Sequence, residues 1–349
     1  MDRILALDLG KNKTAARLRM ADGRPDYCVV VPTKAADLKQ LAENVQPTVV
    51  LMEMSTVTYW VHDLFAQMGT KVVVTANNSP CWKWKNTDCK SDSTDTDKLI
   101  KLYLLDELEP VHIPGMDTRE WRSFIAFRRR LVQARTRVKN EIKSLLSAKH
   151  ILVSDAGADW TVRWVAAVRE HANAPAQCQT DELWRVRLRI MLKQLDMYDE
   201  QINEVEVQLN RVAKQHIAVE LLQKEPGVGP RLAEIVVAVI DDPLRFQNSK
   251  QVACYAGLTP RHWSSGQTER AGHISKQGNT ILRSLLVEVS WLAIRHNTWL
   301  KEIYERIRKD VKGRGKIAIV AAARRLLIKL WAIWRDFERE RINHPAMAR

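Results

Sequence analysis

Cysteine is scarce and unpatterned in this sequence. The five present (Cys28, Cys81, Cys89, Cys178 and Cys254) are odd in number, and no C-x-x-C spacing occurs. That argues against a disulfide framework or a structural zinc site, and fits a reducing cytosol. No leader is expected either: Met1-Asp2-Arg3-Ile4 runs directly into a strand-like apolar segment with no signal-peptide h-region. No stretch approaches the ~18 uncharged apolar residues of a membrane span. The expectation is a soluble, cytoplasmic protein with no membrane partner. Acidic residues are the minority charge, 41 Asp+Glu against 55 Lys+Arg, for a formal net charge of +14. A surplus of that size favours a polyanionic partner, because each neutralised phosphate releases counterions.

Hydrophobic residues make up 46% of the 349 positions, enough for a packed core. Three zones are expected. Residues 1–115 alternate strand-like and helix-like runs: strands over 4–9, 14–20 and 27–31 with a turn at 21–25, a helix over 35–43, a strand over 48–53, a helix over 59–68 and a strand over 71–75. That order predicts an α/β layer with a mixed sheet. Residues 116–220 read as helical and charged, with basic side chains crowding one helix, among them Arg128, Arg129, Arg130, Arg135 and Lys139. Leu188, Met191, Leu195, Tyr198, Ile202, Val205, Leu209 and Val212 then recur at spacings of three and four. This heptad seam predicts a coiled-coil hairpin or a dimer stalk, with self-association slightly favoured over an amphipathic helix packed in its own domain. Residues 221–349 read as mostly helical. They open on Glu225-Pro226-Gly227-Val228-Gly229-Pro230, where Gly227 and Gly229 fit a helix-hairpin-helix contact to a phosphate backbone and a simple tight turn equally well.

The chemistry lies in the acids. Asp8 closes the first strand and Glu53 a later one, while Asp92 and Asp95, three apart, share one face of a helix. Carboxylates so placed can converge on divalent cations, and oxygen-only ligands suit Mg²⁺ or Mn²⁺. A two-metal site clamps the attacking and leaving oxygens of phosphoryl transfer. Taken singly, Asp92 and Asp95 read equally as helix N-caps, and Asp88 and Asp97 as solvated neighbours. Farther on, Trp263-Ser264-Ser265-Gly266 stands among Arg261, Arg270, His273 and Lys276. A hydroxyl in such a cationic setting can be activated as a nucleophile, although Ser-Gly taken alone is usually just a turn.

The set Asp8, Glu53 and Lys90-Ser91-Asp92-x-x-Asp95 resembles the acidic tetrad of the DEDD transposases of the insertion-sequence 110/1111 group. The N-terminal domain of that family is similar to RuvC-type resolvases of the ribonuclease H fold. The runs Pro226-Gly227-Val228-Gly229, Ala256-Gly257-Leu258-Thr259-Pro260, Ser264-Ser265-Gly266 and Ile274-Ser275-Lys276-Gln277-Gly278-Asn279 resemble its C-terminal transposase domain, in the family's order. This chain departs from its relatives after the second tetrad aspartate, reading Asp95-Thr96-Asp97 where they usually have Asp-Ala.

The resemblance implies a recombinase for donor and target DNA. Its site would comprise a metal-bound tetrad of Asp8, Glu53, Asp92 and Asp95, and Ser265 (Ser264 being its neighbour) as covalent nucleophile. It also implies a homodimeric or homotetrameric synapse, an element-encoded guide (bridge) RNA, and work in the bacterial cytosol or nucleoid. The rival expectation is a RuvC-like structure-selective endonuclease that uses water in place of serine.

Overall fold

The computed structural model describes residues 3–20, 26–76, 92–153, 157–173, 179–265, 268–309 and 311–344; for 92–94 and 262–271 only the backbone is considered. The expected turn at 21–25, Asp88 and Gly266 lie outside the described residues. The chain divides into two compact units, Met1–Pro114 and Gly115–Arg349.

The first unit is built on a five-stranded sheet ordered β3-β2-β1-β4-β5. Its strands are β1 (Arg3–Leu9), β2 (Lys13–Met20), β3 (Tyr27–Pro32), β4 (Val49–Glu53) and β5 (Lys71–Thr75). Strands β1 to β3 run antiparallel, while β4 and β5 lie parallel to β1, so the sheet is mixed as the alternating pattern predicts. Two helices, α1 (Ala35–Val45) and α2 (Thr58–Gln67), supply the crossovers that parallel pairing requires. Strand β1 is apolar nearly throughout because both its faces are covered. Leu5, Leu7 and Leu9 pack with Leu38, Val61 and Phe65 of α1 and α2. Ile4 and Ala6 face the other way, into a cluster with Leu99, Ile100 and Leu102 of α3 (Asp92–Leu104).

The second unit is mainly helical: α4 (Met116–Ala148), α5 (Val162–His171), α6 (Leu183–Ala213), α7 (Ile217–Gln223), α8 (Pro230–Ile240), α9 (Ser249–Tyr255), α10 (Thr280–Ala293), α11 (Thr298–Arg308) and α12 (Gly315–Asn343). A β-hairpin, β6 (Pro260–Ser265) and β7 (Thr268–Ile274), interrupts them where the sequence reads as a polar loop. Helices α4 and α6 pack side by side and antiparallel. The start of α4 (Trp121, Ile125) clusters with the end of α6 (Val205, Leu209), and the end of α4 (Ile142, Leu146) with the start of α6 (Leu188, Met191).

This pairing corrects the favoured reading of the heptad seam as a self-association surface. Leu188, Leu195, Ile202 and Leu209 are buried against α4 within a single chain. The seam is the inside of a hairpin, and its apolar area is already consumed. The expected boundary near residue 220 falls inside one continuous core, which joins Ile202, Val205 and Leu209 to α8 and α12. Helix α8 occupies the centre of that core, with every residue from Leu232 to Ile240 buried, as expected of a helix that is apolar on nearly all sides. Among the described residues no helix is long and apolar enough to cross a membrane.

Candidate catalytic and nucleic-acid sites

Sheet register brings the first two acids together. Strands β1 and β4 pair in parallel up to Leu7 and Met52, so Asp8 and Glu53 stand side by side one residue further on. Strand alternation fixes their face. Position 8 shares the side of Ile4 and Ala6, and position 53 that of Val49 and Leu51, the side covered by α3. Asp95 lies half-buried on α3, four residues before Leu99 and seven before Leu102, and so on the helix stripe that packs on this face. Asp92 opens α3, and its side chain lies outside the described residues.

Asp97 is committed elsewhere. Its Oδ1 lies 3.1 Å from Arg19 and 3.6 Å from Arg17, and its Oδ2 lies 2.6 Å from Lys101. Arg19 also bonds Asp26 at 2.8 Å, and that bond holds the Asp26 carboxyl below the usual carboxylate range. Beside Glu53 in the β4–β5 register sits Thr75. Its buried hydroxyl has no hydrogen-bond partner among the described residues. This all-oxygen donor set fits a hard divalent cation. Among the described residues, no three Asp, Glu, His or Cys side chains form a metal-binding group.

The serines occupy the tip of the hairpin. Ser264 pairs with Glu269 and Ser265 with Thr268 along the backbone, and their side chains, like that of Arg270, lie outside the described residues. The base of the hairpin is rigidly built. Gly257 and Gly278 adopt φ of +68° and +105°, a region that glycine enters without steric cost. Added β-carbons there would meet the Gln277 and Tyr255 carbonyl oxygens at 1.8 and 2.0 Å. Two backbone bonds close the same joint, Ser275 N to Thr259 O at 2.8 Å and Lys276 N to Gly257 O at 3.2 Å. Arg261 and Arg283 also donate to carbonyls there, those of Ser275 and Ala256. The two glycine motifs flanking the serines are therefore halves of one clamp.

The glycine turn before α8 is a tight helix–turn–helix. Gly229 caps α8 ahead of Pro230, while Gly227, at φ +86°, lies against Ala293, 2.7 Å from where its own β-carbon would stand. Glu225 anchors the turn, accepting from Asn297 at 2.8 Å and from Lys329 at 2.6 Å.

Several basic residues expected at the nucleic-acid surface already have partners within the protein. Arg128 pairs with Glu206 and Arg135 with Asp199, both across the α4–α6 hairpin. Lys139 lies 4.8 Å over the Trp160 ring, and burial, with Arg135 nearby, lowers its pKa. Arg130 lies 5.7 Å over Phe127. Arg129 makes no hydrogen bond or ion pair among the described residues, and Lys276 is exposed in a left-handed backbone conformation.

Sequence reasoning missed Glu234. It is buried in the middle of α8, where Arg231 holds one of its oxygens at 2.8 Å. Burial outweighs Arg231 and Arg128 and pushes its carboxyl up to about 7. A lone carboxylate inside the apolar run 232–240 was the available signal. Arg122, one of the basic residues of α4, bonds the Ala238 and Val239 carbonyls at the end of α8.

Residues 5–151 match a DEDD transposase family model of the IS110 group, described as "Transposase". Residues 219–305 match the model described as "Transposase IS116/IS110/IS902 family". An acid-bearing α/β unit followed by a helical unit, each matching a transposase model, defines this protein as a transposase. Its relatives include a probable family 20 transposase of Pseudomonas aeruginosa, 26% identical across 86% of this chain and 88% of that protein. The transposase of insertion sequence element IS1111A from Coxiella burnetii is 30% identical across 70% of this chain and 66% of its own length. That of element IS1328 from Yersinia enterocolitica is 24% identical across 82% of each. The chain belongs to the IS110/IS1111 family of insertion-sequence transposases.

Proposed function

We propose that the protein cuts and rejoins DNA strands through a covalent phosphoserine, using Ser265 together with an acidic site of Asp8, Glu53, Asp92 and Asp95. One observation carries the acidic half: Asp8 and Glu53 are neighbours in register at the ends of parallel strands, on the face covered by the helix bearing Asp92 and Asp95. The strand order and the antiparallel-then-parallel directions are those expected of a RuvC-like, ribonuclease H-type sheet. Asp97 is already paired with Arg17, Arg19 and Lys101, which favours Asp95 over Asp97 as the ligand that accompanies Asp92 on the helix.

Bound there, Mg²⁺ or Mn²⁺ supplies charge stabilisation for phosphoryl transfer. The protein's own residues do the rest. The four carboxylates hold the ion, and the glycine clamp orients the serine hairpin. The Ser265 hydroxyl oxygen bonds to phosphorus as one bridging P–O bond breaks, and its proton passes to the released sugar oxygen. The serine phosphodiester conserves the bond energy of the cut strand, so rejoining needs no nucleotide cofactor. Arg129, Arg261, Arg270, Lys276 and the Gly227–Gly229 turn would carry phosphate contacts, which position nucleic acid without reading its sequence. Sequence choice belongs, on this reading, to an element-encoded guide RNA, and the two DNA partners to a homodimer or homotetramer.

The test is chemical. Labelled donor DNA is incubated with the protein, the complex is trapped and digested, and the phosphoserine is located by mass spectrometry. An adduct on Ser265 is expected. An adduct on Ser264 would move the assignment by one residue. Normal recombination by Ser265→Ala with no adduct anywhere would leave the water-using resolvase-like nuclease as the account.

A further inference from the structure

Glu234 is 1% exposed, yet it interrupts a helix whose other core positions are apolar. Its Oε2 is held by Arg231, while its Oε1 is buried without a hydrogen-bond partner among the described residues. An unmade buried acceptor costs about 1–3 kcal/mol, so an apolar side chain of similar size would serve the core better unless a donor arrives from outside.

The residue lines a cavity of about 160 Å³, bounded by α4, α6, α8 and α10. Val132, Leu209 and Leu285 contribute apolar walls, and Arg128, Arg129 and Arg231 contribute guanidinium groups. Arg128 is committed to Glu206, and Arg231 to Glu234 and Asn210. Arg129 has no such partner among the described residues. A cavity of about 150 Å³ accepts a benzene-sized ring. Apolar walls suit the two faces of such a ring, and the unused carboxylate oxygen demands a donor on its edge. That oxygen also repels phosphate, so an inorganic anion does not fit.

We propose that this cavity receives one unpaired cytosine extruded from a nucleic-acid strand. The cytosine N4 amine donates to Glu234 Oε1, a pairing that carboxylates make with this base. Uracil and thymine present a carbonyl oxygen at that position, which the ionised carboxylate repels. Arg129 holds the flanking phosphate, a contact that positions the strand without reading it. Extrusion costs least where the base is already single-stranded. Such a pocket requires only that the transposase handle nucleic acid. It is independent of the serine chemistry and fails or stands separately from it.

Well above pH 7, where the Glu234 carboxyl is ionised, the full-length protein is titrated, by fluorescence anisotropy, with a short all-thymidine strand and with the same strand carrying one central cytosine. A parallel pair of uridine strands, with and without cytosine, distinguishes RNA from DNA as the source of the base. The cytosine strand should bind about tenfold tighter, the worth of one hydrogen bond to a charged group. Glu234→Gln should erase that preference, because an amide offers either a donor or an acceptor, and its melting temperature shows whether the fold is kept. Arg129→Ala should weaken both strands alike and leave their ratio unchanged. Equal binding of both strands in the DNA and RNA arms would mean that the cavity does not take up cytosine, and would overturn the proposal. A cytosine preference that survives Glu234→Gln would overturn it too.

Discussion

Gly257 lies so close to Gln277 that a β-carbon on it would stand 1.8 Å from the Gln277 carbonyl oxygen. The contact is backbone on backbone, and a neighbouring rotamer cannot relieve it. Gly257→Ala therefore meets both a clash and a positive φ, each of which costs on the order of 1–3 kcal/mol. Its denaturant midpoint should fall well below that of Gly229→Ala, whose β-carbon meets nothing within 4 Å and whose φ is negative. Equal midpoints for the two variants would show that the clamp yields easily.

Removing one carboxylate from the in-register pair should separate chemistry from binding. Asp8→Ala and Glu53→Gln are each expected to abolish strand cleavage while leaving most nucleic-acid affinity, which rests on the basic surface. Gel-shift and cleavage assays on the same preparations measure both. Retained cleavage by Asp8→Ala would remove the acidic site from the mechanism.

Glu234 makes stability depend on pH in a definite direction. Its carboxyl titrates at about 7 in the folded protein against an ordinary 4.5, so the folded state holds this proton more tightly than the unfolded chain. The contribution is fully present below the ordinary value and is lost as pH rises through the folded one. Glu234→Gln should accordingly be more stable than the parent above neutrality, by on the order of 3 kcal/mol at most. The gain should vanish toward the ordinary carboxylate range. Urea titrations at several pH values check it, and a difference that does not change with pH would show that folding leaves this carboxyl's proton affinity unaltered.

The seam of α6 gives the fourth expectation. Leu195 and Ile202 are buried within the α4–α6 hairpin, so Leu195→Asp or Ile202→Asp should unfold the helical unit, because each buries an unpaired charge. Circular dichroism and light scattering together decide. A folded protein of smaller oligomer size would restore the seam as an interface between protomers.

Much of this was legible in the sequence. The strand and helix order of the first unit follows from short apolar runs broken by amphipathic stretches. The positions of Asp8 and Glu53 at strand ends follow from the same pattern, because local periodicity alone decides them. The two motifs flanking the serines could also be picked out, but not the reason for their glycines. Gly257 and Gly278 are twenty-one positions apart, and only folding presses one backbone on the other.

What the tertiary structure decided are matters of partnership. A heptad seam records that a helix buries one side, and it carries no mark of whether the covering helix belongs to the same chain. Arg128 and Arg135 read as free cations until Glu206 and Asp199 arrive from a distant helix. Asp95 and Asp97 are equivalent by composition, and they diverge because the helical turn aims Asp97 at Arg17 and Arg19 while Asp95 shares the stripe of Leu99. Glu234 differs from any surface glutamate only because α4, α6 and α10 close around its helix. Sequence fixes local conformation through short-range sterics and periodicity; which charge meets which partner depends on contacts between residues far apart along the chain, and these exist only once the core has formed.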